Sequence, residues 1–113
     1  MLAEQQTEWI ISNNLVNKGW HIDNDTKKNV FFQKPKSKTE QTRLNGKRPD
    51  YILYESNNDK PIAIIKTGVD LRQALDQATE YAKLLDVSIV FAMNGAYCEA
   101  RFVANNKELI FKW

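Results

Sequence analysis

The 113-residue sequence holds one cysteine, one histidine, four glycines and three prolines, and each scarcity excludes something. Cys98 stands alone and cannot close an internal disulfide, which fits a reducing, cytoplasmic setting. Few glycines and prolines rule out collagen and low-complexity tracts. No apolar run approaches the ~18 to 20 residues that cross a bilayer, so no membrane role is expected. The opening Met1-Leu2-Ala3-Glu4-Gln5-Gln6 is polar and acidic, without the basic start of a secretory signal. Walker A, G-x-S-x-G, H-E-x-x-H and C-x-x-C motifs are all missing, so nucleotide-driven, serine-triad and zinc chemistry lack support. The lone His21 is read as a surface or packing residue.

What is present describes a globular domain. Apolar residues make up 42% and charged residues 27%, enough for one core in a single domain spanning 1–113. Area scaling has such a chain bury roughly two-thirds of its unfolded surface, so no disulfide or metal staple is required. The net charge of +2 is unevenly spread. Nine bases and three acids lie between Lys18 and Arg48, a local +6; the remaining seven bases and eleven acids give −4. A basic arm on a nearly neutral domain points to a polyanionic partner, with a solvated lysine-rich loop as the bland alternative.

Hydrophobic periodicity predicts a helix over Ala3–Asn17, stopped by Lys18-Gly19, with Leu2, Trp9 and Val16 on one side and Ile11 and Leu15 on another. Extended segments are expected at Trp20–Ile22, Asn29–Gln33, Arg48–Tyr54, Pro61–Ile65, Val87–Met93, Tyr97–Val103 and Leu109–Trp113. The polar stretch Lys34–Lys47 is expected to be a loop. Asp70–Asp86 carries a full amphipathic stripe, with Asp70 and Gln73 at capping-box spacing. The order implies an α/β fold with a mixed sheet and helices on both faces.

Asp50 opens a strand paired by a tight hairpin with the apolar strand Pro61–Ile65, and a helix with Gln77 and Tyr81 at i, i+4 follows. With Glu8, Gly19-Trp20, Arg48-Pro49-Asp50-Tyr51-Ile52-Leu53-Tyr54, Tyr81-Ala82 and Phe91-Ala92-Met93-Asn94-Gly95, the chain resembles the PD-(D/E)XK nuclease superfamily. More narrowly, it is similar to the N-terminal nuclease domain of type I restriction enzyme R subunits. The resemblance implies a restriction-endonuclease-like mixed central β-sheet flanked by α-helices. It also implies Mg2+ held by Asp50, with Glu8 contributing from the first helix, and catalytic roles for Asp50, Lys66, Gln77 and Tyr81. The expected partner is duplex DNA, met through Lys34, Lys36, Lys38, Arg43, Lys47 and Arg48. A motor/helicase domain and other restriction-complex subunits would belong to a longer protein, of which this chain reads as the N-terminal fragment.

The family's second strand ends in Glu-x-Lys, and here the sequence departs. After Ile65 it reads Lys66-Thr67-Gly68. Without a gap, Lys66 replaces the metal carboxylate and Gly68 the lysine. Alternatively, three residues are missing and Lys66-Thr67-Gly68 matches the tail after the motif; this restores the usual spacing to Gln77 and is preferred. Either way the second carboxylate is lost, so Mg2+ is expected to bind weakly or not at all and phosphodiester hydrolysis to be impaired or absent. Two alternatives stay open: an active Mg-dependent endodeoxyribonuclease with migrated residues, Lys66 serving as the lysine and Glu8 or Glu80 as the carboxylate, or a non-catalytic protein-interaction module.

Overall fold

The alternation of alanines and leucines along residues 74–85 buries one face of α3 (Leu71–Leu85) against a β-sheet, with Ala74, Leu75, Ala78, Ala82 and Leu85 all buried. The computed structural model describes residues 4–22, 29–33, 35–55, 60–94 and 97–112, and the side chains of 4–9 and 110–112 lie outside that description. The helix begins at Asp70, whose carboxylate accepts the Gln73 N–H at 3.1 Å, and ends where Asp86 turns left-handed at φ 59.

The described residues form one six-stranded sheet in chain order: β1 (Val30–Phe32), β2 (Tyr51–Tyr54), β3 (Pro61–Thr67), β4 (Ile89–Met93), β5 (Tyr97–Phe102) and β6 (Glu108–Lys112). β3 and β4 are parallel, joined by α3, while the other neighbours pair antiparallel. β2 and β3 are apolar on both sides because both faces are covered. Ile64, Val90 and Ala92 pack toward α3. Tyr51, Leu53, Ile65 and Cys98 lie in a second cluster with Ile11 and Leu15 of α1 (Glu4–Asn17). The mixed α/β architecture matches the expectation from sequence.

Several boundaries differ. Val16 is 52% exposed, so the inward stripe of α1 is Ile11 and Leu15. Gly19 takes the expected left-handed turn at φ 97. Residues 20–22 are not a strand; the His21 carbonyl accepts the N–H groups of Asn29 and Val30 at 3.0 and 3.3 Å. Arg48, Pro49 and Asp50 precede β2 instead of joining it, and β3 runs two residues past Ile65. Residues 56–59 and 95–96, between expected strands, and the strand end expected at Trp113 lie outside the described residues.

The largest correction is the expected loop, which contains α2 (Lys38–Leu44). Its N-terminus is a reciprocal capping box. Ser37 Oγ accepts the Glu40 N–H at 3.2 Å, and Glu40 Oε1 accepts the Ser37 N–H at 3.3 Å. Leu44, fully buried, anchors the helix in the α3-side core, and Asn45 closes it in the left-handed region. The buried Tyr54 ties α2 to β2, its hydroxyl donating to Glu40 Oε1 at 2.9 Å and accepting the Lys36 N–H at 2.7 Å.

Candidate functional site at the Asp50 end of the sheet

Pro49 lacks an N–H and sits just before β2, so Asp50 enters the sheet at its edge of pairing. Tyr51 pairs with Ile65 across the β2–β3 ladder, which sets Asp50 level with Lys66. Side chains alternate along a strand, so Lys66 lies on the same side as Ile64, toward α3. Asp50 Oδ2 accepts the Thr67 backbone N–H at 2.7 Å and the Thr67 hydroxyl at 3.0 Å. Lys66 Nζ stands 3.3 Å from the same oxygen, the two side chains being 21% and 10% exposed. Because β3 pairs with β4 as far as Thr67–Met93, the strand is unbroken at Lys66 and Thr67. Gly68 follows where α3 closes in: a Cβ there would meet Ala74 Cβ at 3.3 Å.

A hard divalent ion such as Mg2+ needs several oxygen ligands and tolerates no ammonium among them. Here the inner oxygen of Asp50 already carries three contacts, one from a cation. No group of three or more His, Cys, Asp or Glu able to hold a metal occurs among the described residues. Among the described residues, the donor set around Asp50 does not fit a divalent ion.

Other expected site residues fall elsewhere. The Glu8 side chain lies outside the described residues. Tyr81 is half-buried and packs on the core beneath α3. Gln77 is half-buried, and among the described residues no hydrogen bond links it or Tyr81 to Asp50 or Lys66. Glu80 is ion-paired with Lys47 at the surface. Of the expected DNA-contacting cations, Lys36, Lys38, Arg43 and Arg48 are exposed, Lys47 is engaged by Glu80, and Lys34 lies outside the described residues.

Sequence reasoning missed Thr67, whose hydroxyl and amide both hold Asp50; nothing in its local pattern marks it. It also missed a charge network binding α3 to the C-terminal hairpin. Arg72 pairs with both Glu99 and Glu108, while Arg101 pairs with Asp76 at 2.8 Å and Glu108 at 2.6 Å. Glu99 and Arg101 share one face of β5, and the signal was a charged pair inside an otherwise apolar strand. Hydrogen bonds from Arg72, and then Arg101, hold the Glu108 carboxyl below the usual glutamate range. On the opposite face, burial, with the Glu99 charge adding to it, pushes the Cys98 thiol up to about 12.

A mixed sheet crossed by one helix, with a carboxylate at the carboxyl end of its parallel pair, defines an α/β domain. Among solved structures it is similar to a fragment assigned as an HsdR subunit of a type I restriction enzyme from Vibrio vulnificus YJ016. The TM-score is 0.72 and the identity 19%, covering 99% of this chain and 23% of that one. No family model and no curated protein sequence matches the chain. No helix among the described residues is long and apolar enough to cross a membrane.

Proposed function

We propose that this chain is a nuclease-like domain of a type I restriction R-subunit kind, of PD-(D/E)XK ancestry, that contacts duplex DNA and does not hydrolyse it. The observation carrying the reading is the run of exposed cations Lys38, Arg43 and Arg48 on and after α2, leading directly into Asp50. Among the described residues none of the three forms an ion pair, so each can meet a phosphate without first breaking a bridge. Their contacts would be to the backbone, indifferent to sequence and sensitive to salt. The fold shared with the HsdR fragment supports a place beside a motor domain and other restriction subunits, within a longer protein. With Asp50 held by Lys66 and Thr67, the domain's contribution is binding; cutting belongs elsewhere.

Binding of a short random-sequence duplex across a salt titration tests this. The wild-type chain is expected to bind at low salt and to weaken linearly on a log–log plot. Replacing Lys38, Arg43 and Arg48 together with alanine should reduce the slope by about 2.7, near 0.9 for each phosphate that is no longer neutralised. Absence of low-salt binding, or a slope untouched by the triple substitution, sinks the interface. Plasmid nicking that requires Mg2+ or Mn2+ and vanishes in Asp50→Ala sinks the non-hydrolytic half.

A further inference from the structure

We infer that Lys66 is a resident cation for the Asp50 site, and that residue 66 decides whether this end of the sheet takes a divalent metal ion. The Asp50 side chain is nearly buried, and an ionised carboxylate there must be compensated. Three groups do so on one oxygen: the Thr67 amide at 2.7 Å, the Thr67 hydroxyl at 3.0 Å and the Lys66 ammonium at 3.3 Å. All come from the last two residues of β3, fixed by ladder pairing to β4 through Thr67–Met93. The ammonium is therefore held by the strand itself and stands where an external cation would have to approach. The β2–β3 register sets residue 66 directly across from Asp50, so a carboxylate in its place would face Asp50 and make a two-carboxylate site. The pairing holds whether or not the α2 cations meet DNA.

Thermal unfolding in chelator-treated buffer and in millimolar Mn2+ tests the assignment on six chains. The wild-type midpoint should not move with Mn2+. Lys66→Met should unfold at lower temperature, because Asp50 loses its cation, and Asp50→Asn/Lys66→Met should recover most of that loss, because the neutral amide needs none. Lys66→Glu should be the least stable chain without metal and rise by roughly 5 °C or more with Mn2+. Asp50→Asn/Lys66→Glu should show no such rise. A wild-type midpoint that climbs saturably with Mn2+, and stops climbing in Asp50→Asn, overturns the inference, since the ion would then displace Lys66. So does a Lys66→Met chain as stable as wild type, or a Lys66→Glu chain, folded or not, that ignores Mn2+. The DNA titration can fail without altering any of these outcomes.

Discussion

Glu40 is the joint through which α2 is fastened to the sheet, and its removal has a size that can be worked from its contacts. Its Oε1 accepts the Ser37 N–H, the Ser37 hydroxyl at 3.0 Å and the Tyr54 hydroxyl at 2.9 Å. The two Ser37 contacts are solvent-exposed, and such a capping interaction contributes about 0.5 kcal/mol at the low end of cap energies. The Tyr54 contact is different, because the tyrosine is 2% exposed and its partner is charged. A hydrogen bond of that kind contributes about 1.5 kcal/mol or more, and the hydroxyl loses this acceptor when the carboxylate is removed. Glu40→Ala should therefore cost about 2 kcal/mol, read as a lowered midpoint in urea with the slope unchanged. Tyr54→Phe removes the same contact and also the acceptor of the Lys36 N–H, so it should cost about as much as Glu40→Ala. The double variant should fall short of additivity by about 1 kcal/mol. A Glu40→Ala chain within about 0.5 kcal/mol of wild type would refute the reasoning, because α2 would then not be fastened through Tyr54.

Two further outcomes follow from the shifted groups. Glu108 is held below the ordinary glutamate range by Arg72 and Arg101, so its contribution is present above the unfolded-state value and lost as pH falls through the depressed folded one. Wild-type stability should thus fall as pH drops from the unfolded-state glutamate range through the depressed folded value, and Glu108→Gln should flatten that part of the stability–pH curve while lowering stability at neutral pH. Cys98 is fully buried with its thiol pushed up to about 12. It should resist a thiol-specific reagent at neutral pH in the folded protein and react at once in denaturant; rapid labelling of the native chain would contradict its burial.

The elements that were legible in the sequence are those whose own residues specify them. α3 announces itself through a stripe of alanines and leucines and an Asp70 cap, and its bounds follow within a residue. α2 was hidden by composition: Leu44 is its one buried residue, and a helix with a single apolar anchor has no periodicity to detect. Its signature was nonetheless printed in Ser37-x-x-Glu40, a capping box without the apolar run that usually follows. Strand ends were misjudged for another reason, since hydrogen bonding to a neighbour decides them. β3 reaches Thr67 because β4 offers Met93 as partner, which the apolar run ending at Ile65 does not reveal. That extension matters most at the site. Asp50 was identifiable from Pro49 and the strand after it, whereas the pairing of Lys66 depends on register, a property of two strands together.

The sheet's single parallel pair gives the site its location. Open α/β sheets bind ligands outside the carboxyl ends of their parallel strands, where the chain leaves for the crossover helix and backbone groups are left without ladder partners. In this chain β3 and β4 are that pair, and beyond Thr67 the Gly68 N–H turns to the Met93 carbonyl at 3.2 Å as α3 begins. Asp50 is carried to the same end by the antiparallel β2. Topology thus brings a nearly buried carboxylate to the place where such sheets ordinarily meet a ligand, and electrostatics then demands a positive charge beside it. A bound metal ion could meet that demand only with further oxygen ligands; a lysine on the adjacent strand meets it with none. On the inference drawn above, the ammonium also removes the reason for an ion to bind. On the reading proposed above, a site of this kind keeps the shape that its charge balance maintains without the Lewis acid that hydrolysis of a phosphodiester would use, and the cations of α2 are left to meet a phosphate backbone.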